Sequence, residues 1–256
     1  MFRKIRVMLL LYALLLVAGG TWLTVQRTTD WDTSLWVAVH PIAADDSEAT
    51  RSYIEKLDDA SLADISDFFA REGRRFALGL DRPFEVRRSA TLTERPPAPP
   101  DGGSALEIMW WSLTLRWWSW QVGWEHDDPP AKIRVYAIYY DPERTKSVPH
   151  SLGLQKGLIG VVHGFAGRKM HRSNNMVIAH ELAHTVGATD KYDPASNQPF
   201  YPDGYAEPER KPRYPQRYAE LMGGRVPKSA DEARIPKSLK RVRIGPQTAG
   251  EMNWLR

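Results

Sequence analysis

The sequence predicts an α+β domain built on a small mixed sheet with helices packed against it. Three observations carry this expectation. Runs rich in β-branched and aromatic residues recur at Ser34–Ala44, Lys132–Tyr140 and Gly157–Ala166. Between and after them lie segments whose apolar residues repeat at helical spacing. Beyond Gly187 the chain turns to proline, glycine and charge, with few regular elements before about Pro246.

The chain opens with Arg3, Lys4 and Arg6 ahead of an uncharged apolar run from Val7 to Val25. At ~1.5 Å per helical residue that run is long enough for the roughly 30 Å hydrocarbon layer. The sequence therefore predicts an N-terminal transmembrane helix over residues 1–26, with the basic end cytoplasmic and residues 27–256 outside the cytoplasm. Trp22 suits an interfacial position. A cleaved signal segment is the alternative, with Ala18 and Gly20 as small residues before Thr21, and would leave a secreted protein.

Ser34–Ala44 reads as the first strand. From Ser47 to Phe76 the positions Tyr53, Ile54, Leu57, Leu62, Ile65, Phe68 and Phe69 describe two helices broken near Asp58–Ser61. A short strand is expected at Arg82–Arg88, and a proline-rich loop at Glu94–Gly103. Ser104 and Glu107 form a capping-box pattern ahead of a helix carrying Trp110, Trp111, Trp117, Trp118 and Trp120. Such a helix either lies on a membrane or is a backing helix buried on most sides; the second reading is preferred on residue type. Two strands follow, and then a helix through Val177–Val186, capped by Ser173 or Asn174 and stopped by Gly187.

Composition excludes several functions. With no cysteine the chain has no disulfide, thiolate ligand or cysteine nucleophile. A net charge of +4 is too small to argue for nucleic acid, and no nucleic-acid-binding signature is present. Neither a phosphate loop nor a G-x-S-x-G elbow occurs.

The seven histidines are scattered except for two. His180 and His184 stand four apart in "MVIAHELAHTVGATDKYD", and Glu181 follows the first. On a helix both imidazoles share one face and can bind one ion, and the Glu181 carboxylate can take a proton from a water there. The pattern continues as H-E-x-x-H-x-x-G-x-x-D: Gly187 lets the chain leave the helix sharply, and Asp190 can return as a third ligand. Asp193 and Glu220 compete with Asp190 for that place. The loop Asp190–Gly204 also has oxygen ligands enough to consider Ca²⁺, without the spacing of an EF-hand.

This motif resembles that of the metzincin zinc endopeptidases, in the Asp-ended form found in snapalysin-like small neutral proteases. The resemblance covers about Ile133 to Gly224. It implies a zincin-like fold with a backing helix and an active-site helix, Zn²⁺ held by His180, His184 and Asp190, and Glu181 as general base. It implies hydrolysis of a polypeptide substrate, a methionine turn at "YAELMGG" around Met222, and a substrate-pairing edge strand at "LIGVVHGFA". Tyr192 and Tyr218 are considered as oxyanion donors. A rival reading is a non-enzymatic, zinc-stabilised envelope binding module, in which His163 or Glu220 would close the coordination sphere. The same zinc chemistry would also serve an amidase acting on cell-wall peptides.

Overall fold

A computed structural model describes residues 5–8, 11–12, 29–100, 102–126 and 130–255. Five strands form the sheet: β1 (Leu35–Ala43), β2 (Phe84–Arg88), β3 (Ile133–Tyr140), β4 (Leu152–Leu154) and β5 (Ile159–Phe165), in the order β2-β1-β3-β5-β4. The pairs β1–β2, β1–β3 and β3–β5 are parallel, and only β4 runs antiparallel, along β5. The fold is thus a mixed α/β arrangement, which corrects the expected α+β class. Helices connect β1 to β2 and β2 to β3, and a parallel neighbour requires such a crossover.

The fold class needs a second correction. Among the described residues no helix is long and apolar enough to cross a membrane, so the expected N-terminal transmembrane helix is not supported. Most of the apolar run, residues 9–10 and 13–25, lies outside the described residues. The longest helix among the described residues, Ala105–His126, carries Glu107, Arg116, Gln121 and Glu125 beside its apolar surfaces.

Alternation along the strands sorts the core into two layers. Ile133, Val135, Ala137 and Tyr139 of β3 face the larger layer, whereas Tyr136 and Ile138 face the smaller. The larger layer receives the helices Glu48–Glu55 and Asp59–Arg75 and the motif helix His171–Thr185. The expected break between the first two is present: Asp58 caps the second helix, accepting from Ser61 N at 2.8 Å. The smaller layer is covered by the tryptophan helix Ala105–His126 through Leu115, Val122 and the half-buried Trp111 and Trp118. Tyr136 Oη donates to Ser119 Oγ at 2.8 Å, fixing that helix to the sheet.

The preferred burial of the tryptophan helix is overturned. Trp110, Trp117, Trp120 and Trp124 are 71%, 62%, 54% and 82% exposed. The cause is geometric: one layer of helix covers this face of the sheet, and only one side of that helix can touch it. The motif helix also starts earlier than expected, at His171, with no side-chain cap. Asn174 is occupied elsewhere, donating to Phe165 O at 2.9 Å and accepting from Phe165 N at 3.3 Å, which ties the motif helix to β5.

Candidate metal centre

The motif helix lies against the β4–β5 edge of the sheet, and glycines set the spacing. A Cβ at Gly153 of β4 would stand 2.7 Å from His184 Cβ and would collide with the Glu181 carbonyl. At Gly160 of β5 the tight neighbour is Val135, whose side chain a Cβ would meet at 3.3 Å, while Glu181 Cβ would stand at an ordinary 3.9 Å. Val177, the half-buried His180 and His184 and the buried Glu181 are thereby delivered to the edge of the sheet.

The helix ends where the motif requires. Gly187 adopts φ 106°, a conformation that only glycine takes without strain. The amide of Ala188 donates back to Ala183 O at 3.0 Å, closing a Schellman-type turn. That turn swings the chain back so that Asp190 faces both imidazoles.

One Asp190 carboxylate oxygen lies 3.0 Å from His180 Nε2 and 3.3 Å from His184 Nε2. Ligand atoms of the three residues fall within 4.8 Å of one another. The opposite ring nitrogens are committed: His180 Nδ1 donates to Leu221 O at 3.0 Å and His184 Nδ1 to Ala188 O at 2.8 Å. A carbonyl accepts only, so Nδ1 carries a proton in either charge state, and in the neutral imidazole Nε2 presents a lone pair. With Nε2 unprotonated, two imidazole lone pairs and a carboxylate face one point, a donor set suited to a cation. The group His180, His184 and Asp190 could hold a metal ion.

A proton on Nε2 satisfies the same contacts, each imidazole then donating to Asp190. Burial pushes the Asp190 carboxyl upward, but hydrogen bonds and charge from His180 and His184 overcome it and hold Asp190 well below the usual carboxylate range. Burial lowers His180, and the Asp190 hydrogen bond, the Glu181 charge and the Leu221 carbonyl reverse the direction. Glu181 is raised, first by burial, with the histidines opposing. Its Oε2 is buried with no hydrogen-bond partner. An orphaned carboxylate oxygen beside a converging donor set is what a missing water or ion leaves behind.

The two other acids weighed as third ligand are engaged elsewhere. Asp193 accepts from Ser196 Oγ at 2.6 Å and from Ala195 N at 3.0 Å within its own loop. Glu220 is fully buried beneath the turn at Met222, accepting from Met222 N at 2.6 Å, Gly223 N at 2.9 Å and Gly245 N at 3.0 Å. Met222 itself is fully buried. Composition gave no sign of the turn's role in holding His180 through Leu221 O, since a backbone carbonyl leaves no mark in a sequence.

A cleft of about 350 Å³ adjoins the group, lined among others by His150, His163, Val177, Glu181, Tyr192 and Arg225. Tyr192 stands beside His180, with ring centres 6.4 Å apart. Tyr218 instead packs under Arg243. His163 lines the cleft but bonds Tyr140 and is not among the converging ligands. The expected edge strand is also corrected: "LIGVVHGFA" is β5, enclosed between β3 and β4, and β4 forms the edge. The antiparallel strand folded back over β5 through the turn at Gln155–Leu158 and took the outer place. A larger cavity of about 910 Å³ lies at the other end of the motif helix, near Tyr53 and His171, and among the described residues no converging ligand set lines it.

No protein-family model matches the chain, and no curated protein matches it. Solved structures do give matches. One of them, of a chaperone–substrate complex, is 14% identical with a TM-score of 0.40 and is matched over 86% of this chain. The chain spans about a third (33%) of that protein's length, and similarity at this level carries no argument about fold or function.

Proposed function

We propose that the protein is a zinc-dependent metallopeptidase of metzincin-like type, with His180, His184 and Asp190 as metal ligands and Glu181 as general base. The observation that carries this reading is the convergence of the His180 and His184 Nε2 atoms with Asp190 next to the unpartnered carboxylate oxygen of Glu181. Nitrogen and carboxylate donors in a set of three suit Zn²⁺ with a position left for solvent. A bound zinc ion would supply Lewis acidity toward a water and toward the scissile carbonyl.

The chain's own residues do the rest. The raised affinity of Glu181 for a proton suits it to take one from the attacking water and give it to the departing amine. The Nδ1 hydrogen bonds to Leu221 O and Ala188 O fix the imidazole orientations. The outer edge of β4 can pair with an extended polypeptide beside the cleft. A structural site would be closed by a fourth protein ligand; among the described residues the group has three members. That counts against the non-enzymatic module. The test is metal analysis of the purified protein together with cleavage of an unfolded polypeptide, with and without chelator. Zinc near one per chain and chelator-sensitive cleavage are expected; cleavage indifferent to chelator would reject the reading.

A further inference from the structure

The tryptophan helix is apolar on two opposite sides. Leu115, Ser119, Val122 and Gly123 are buried toward the sheet, with Trp111 and Trp118 beside them. On the outer side Leu106, Met109, Trp110, Leu113, Trp117, Trp120 and Trp124 recur three or four residues apart and are all exposed. They make one stripe about 27 Å long at ~1.5 Å per residue. No charged residue lies in it; Glu107, Thr114, Gln121 and Glu125 border one flank, and Ser112 and Arg116 the other. A shallow apolar cleft of about 520 Å³, between Pro97, Ala98, Pro100 and the first turns of the helix, extends the stripe at Leu106 and Trp110. So large an apolar surface marks a contact face.

We propose that this stripe seats on a lipid bilayer, at the level of the headgroups. Three features select that occupant. First, the stripe offers only donors: each outward indole has one N–H and no acceptor, and among the described residues none of the four has a partner, whereas the inward Trp111 donates to Pro97 O at 2.9 Å. A second copy applied face to face would bury indole donors against an apolar stripe with acceptors only along its borders, at a cost for each donor left unmatched. Phosphate and ester carbonyl groups at a bilayer surface are acceptors throughout, and Trp concentrates there for that reason. Second, the rings cover one another: Trp117 and Trp120 centres lie 5.2 Å apart, and Trp120 and Trp124 6.1 Å. Adjacent rings thus form a continuous aromatic strip along the helix, a surface suited to a fluid partner. Third, the polar flanks keep the apolar strip narrow, as in helices that lie in the interface plane. The stripe is on the opposite side of the sheet from the motif helix, so docking leaves the metal cleft facing away from the lipid.

The chain has no cysteine, so one introduced thiol can be labelled uniquely. Full-length Leu113→Cys carrying a polarity-sensitive fluorophore is mixed with phosphatidylcholine vesicles, with and without phosphatidylglycerol, and with acyl-brominated lipid as quencher. Lys240→Cys, exposed on the motif-helix side, serves as control. Attachment of the chain to vesicles is not by itself the readout. The label at position 113 should shift to the blue and be quenched by the brominated lipid, whereas the label at 240 does neither. Adding Trp117→Gln and Trp120→Gln should reduce the response at 113 to the control level. A label at 113 that stays in water on vesicle-bound protein overturns the proposal. Shielding that grows with protein concentration in the absence of lipid overturns it too, in favour of a second copy.

Discussion

The Leu221 carbonyl oxygen accepts the Nδ1 proton of His180 at 3.0 Å, so the residue preceding the buried Met222 sets the tautomer of the first motif histidine. Residues far apart in the chain thus act on one donor atom. His184 is oriented by Ala188 O, from the turn that the motif glycine makes possible. Both Nε2 atoms are oriented by backbone groups bonded to the opposite ring nitrogen, which tolerate side-chain change but not loss of the turn geometry.

Glu181→Gln separates binding from chemistry. The amide keeps the shape of the side chain but cannot take a proton, so the variant should bind zinc like the parent and lose about 10²–10⁴-fold in kcat. His184→Ala should lose both metal and activity. Zinc content by atomic spectroscopy and a peptide-cleavage rate, measured on the same preparations, check the pair; an active Glu181→Gln protein would exclude Glu181 as the base.

Gly187→Ala tests the turn that returns Asp190. At φ 106° an alanine costs about 1–2 kcal/mol. Its Cβ would also stand 3.0 Å from Glu251 O and 3.1 Å from Gln155 Nε2. A lower Tm is expected together with weaker zinc binding, because relief of the strain moves Ala188 O and Asp190. Calorimetry and a zinc titration would show whether the two losses travel together.

Acid sensitivity should come in part from Asp45. Burial pushes its carboxyl upward, but hydrogen bonds from Asp141 N, Ser47 and Thr50 outweigh this and bring it from 3.8 down to about 2. A carboxyl whose pKa is lower folded than unfolded stabilises above the unfolded value. That contribution is lost as pH falls from about 4 through 2. Asp45→Asn should therefore be less stable than the parent at neutral pH, with the gap closing across this window. Urea midpoints from pH 7 to pH 2 measure it, and a gap independent of pH would refute the assignment.

Where the chemistry is local, the sequence was readable. His180, Glu181, His184, Gly187 and Asp190 lie within one helix and its exit turn, so spacing alone brings the ligands together. The helix break at Asp58 was legible for the same reason. Features decided at long range were not. Which strand takes the sheet edge depends on β4 folding back over β5, and β4 is too short to announce itself. The exposure of four tryptophans depends on how many layers cover the sheet, which residue type does not reveal. Apolar residues on both sides of the helix erase the one-sided periodicity that would have identified its packed face.

Glu220 offers the sharpest test of how the site is supported from below. Its two carboxylate oxygens accept three backbone N–H groups, from Met222, Gly223 and Gly245, in a fully buried setting. The turn so held supplies Leu221 O to His180 and Met222 O to Lys191 N. In Glu220→Gln one acceptor oxygen becomes an NH₂ group facing an N–H donor. At least one amide then loses its partner, at a cost of about 1–3 kcal/mol. The variant should melt lower and, as Leu221 O shifts, bind zinc more weakly, although residue 220 touches neither the ligands nor Glu181. A chelator-competition titration beside a melting curve decides the point: a lower Tm with unchanged zinc affinity would make Glu220 a support of the fold alone.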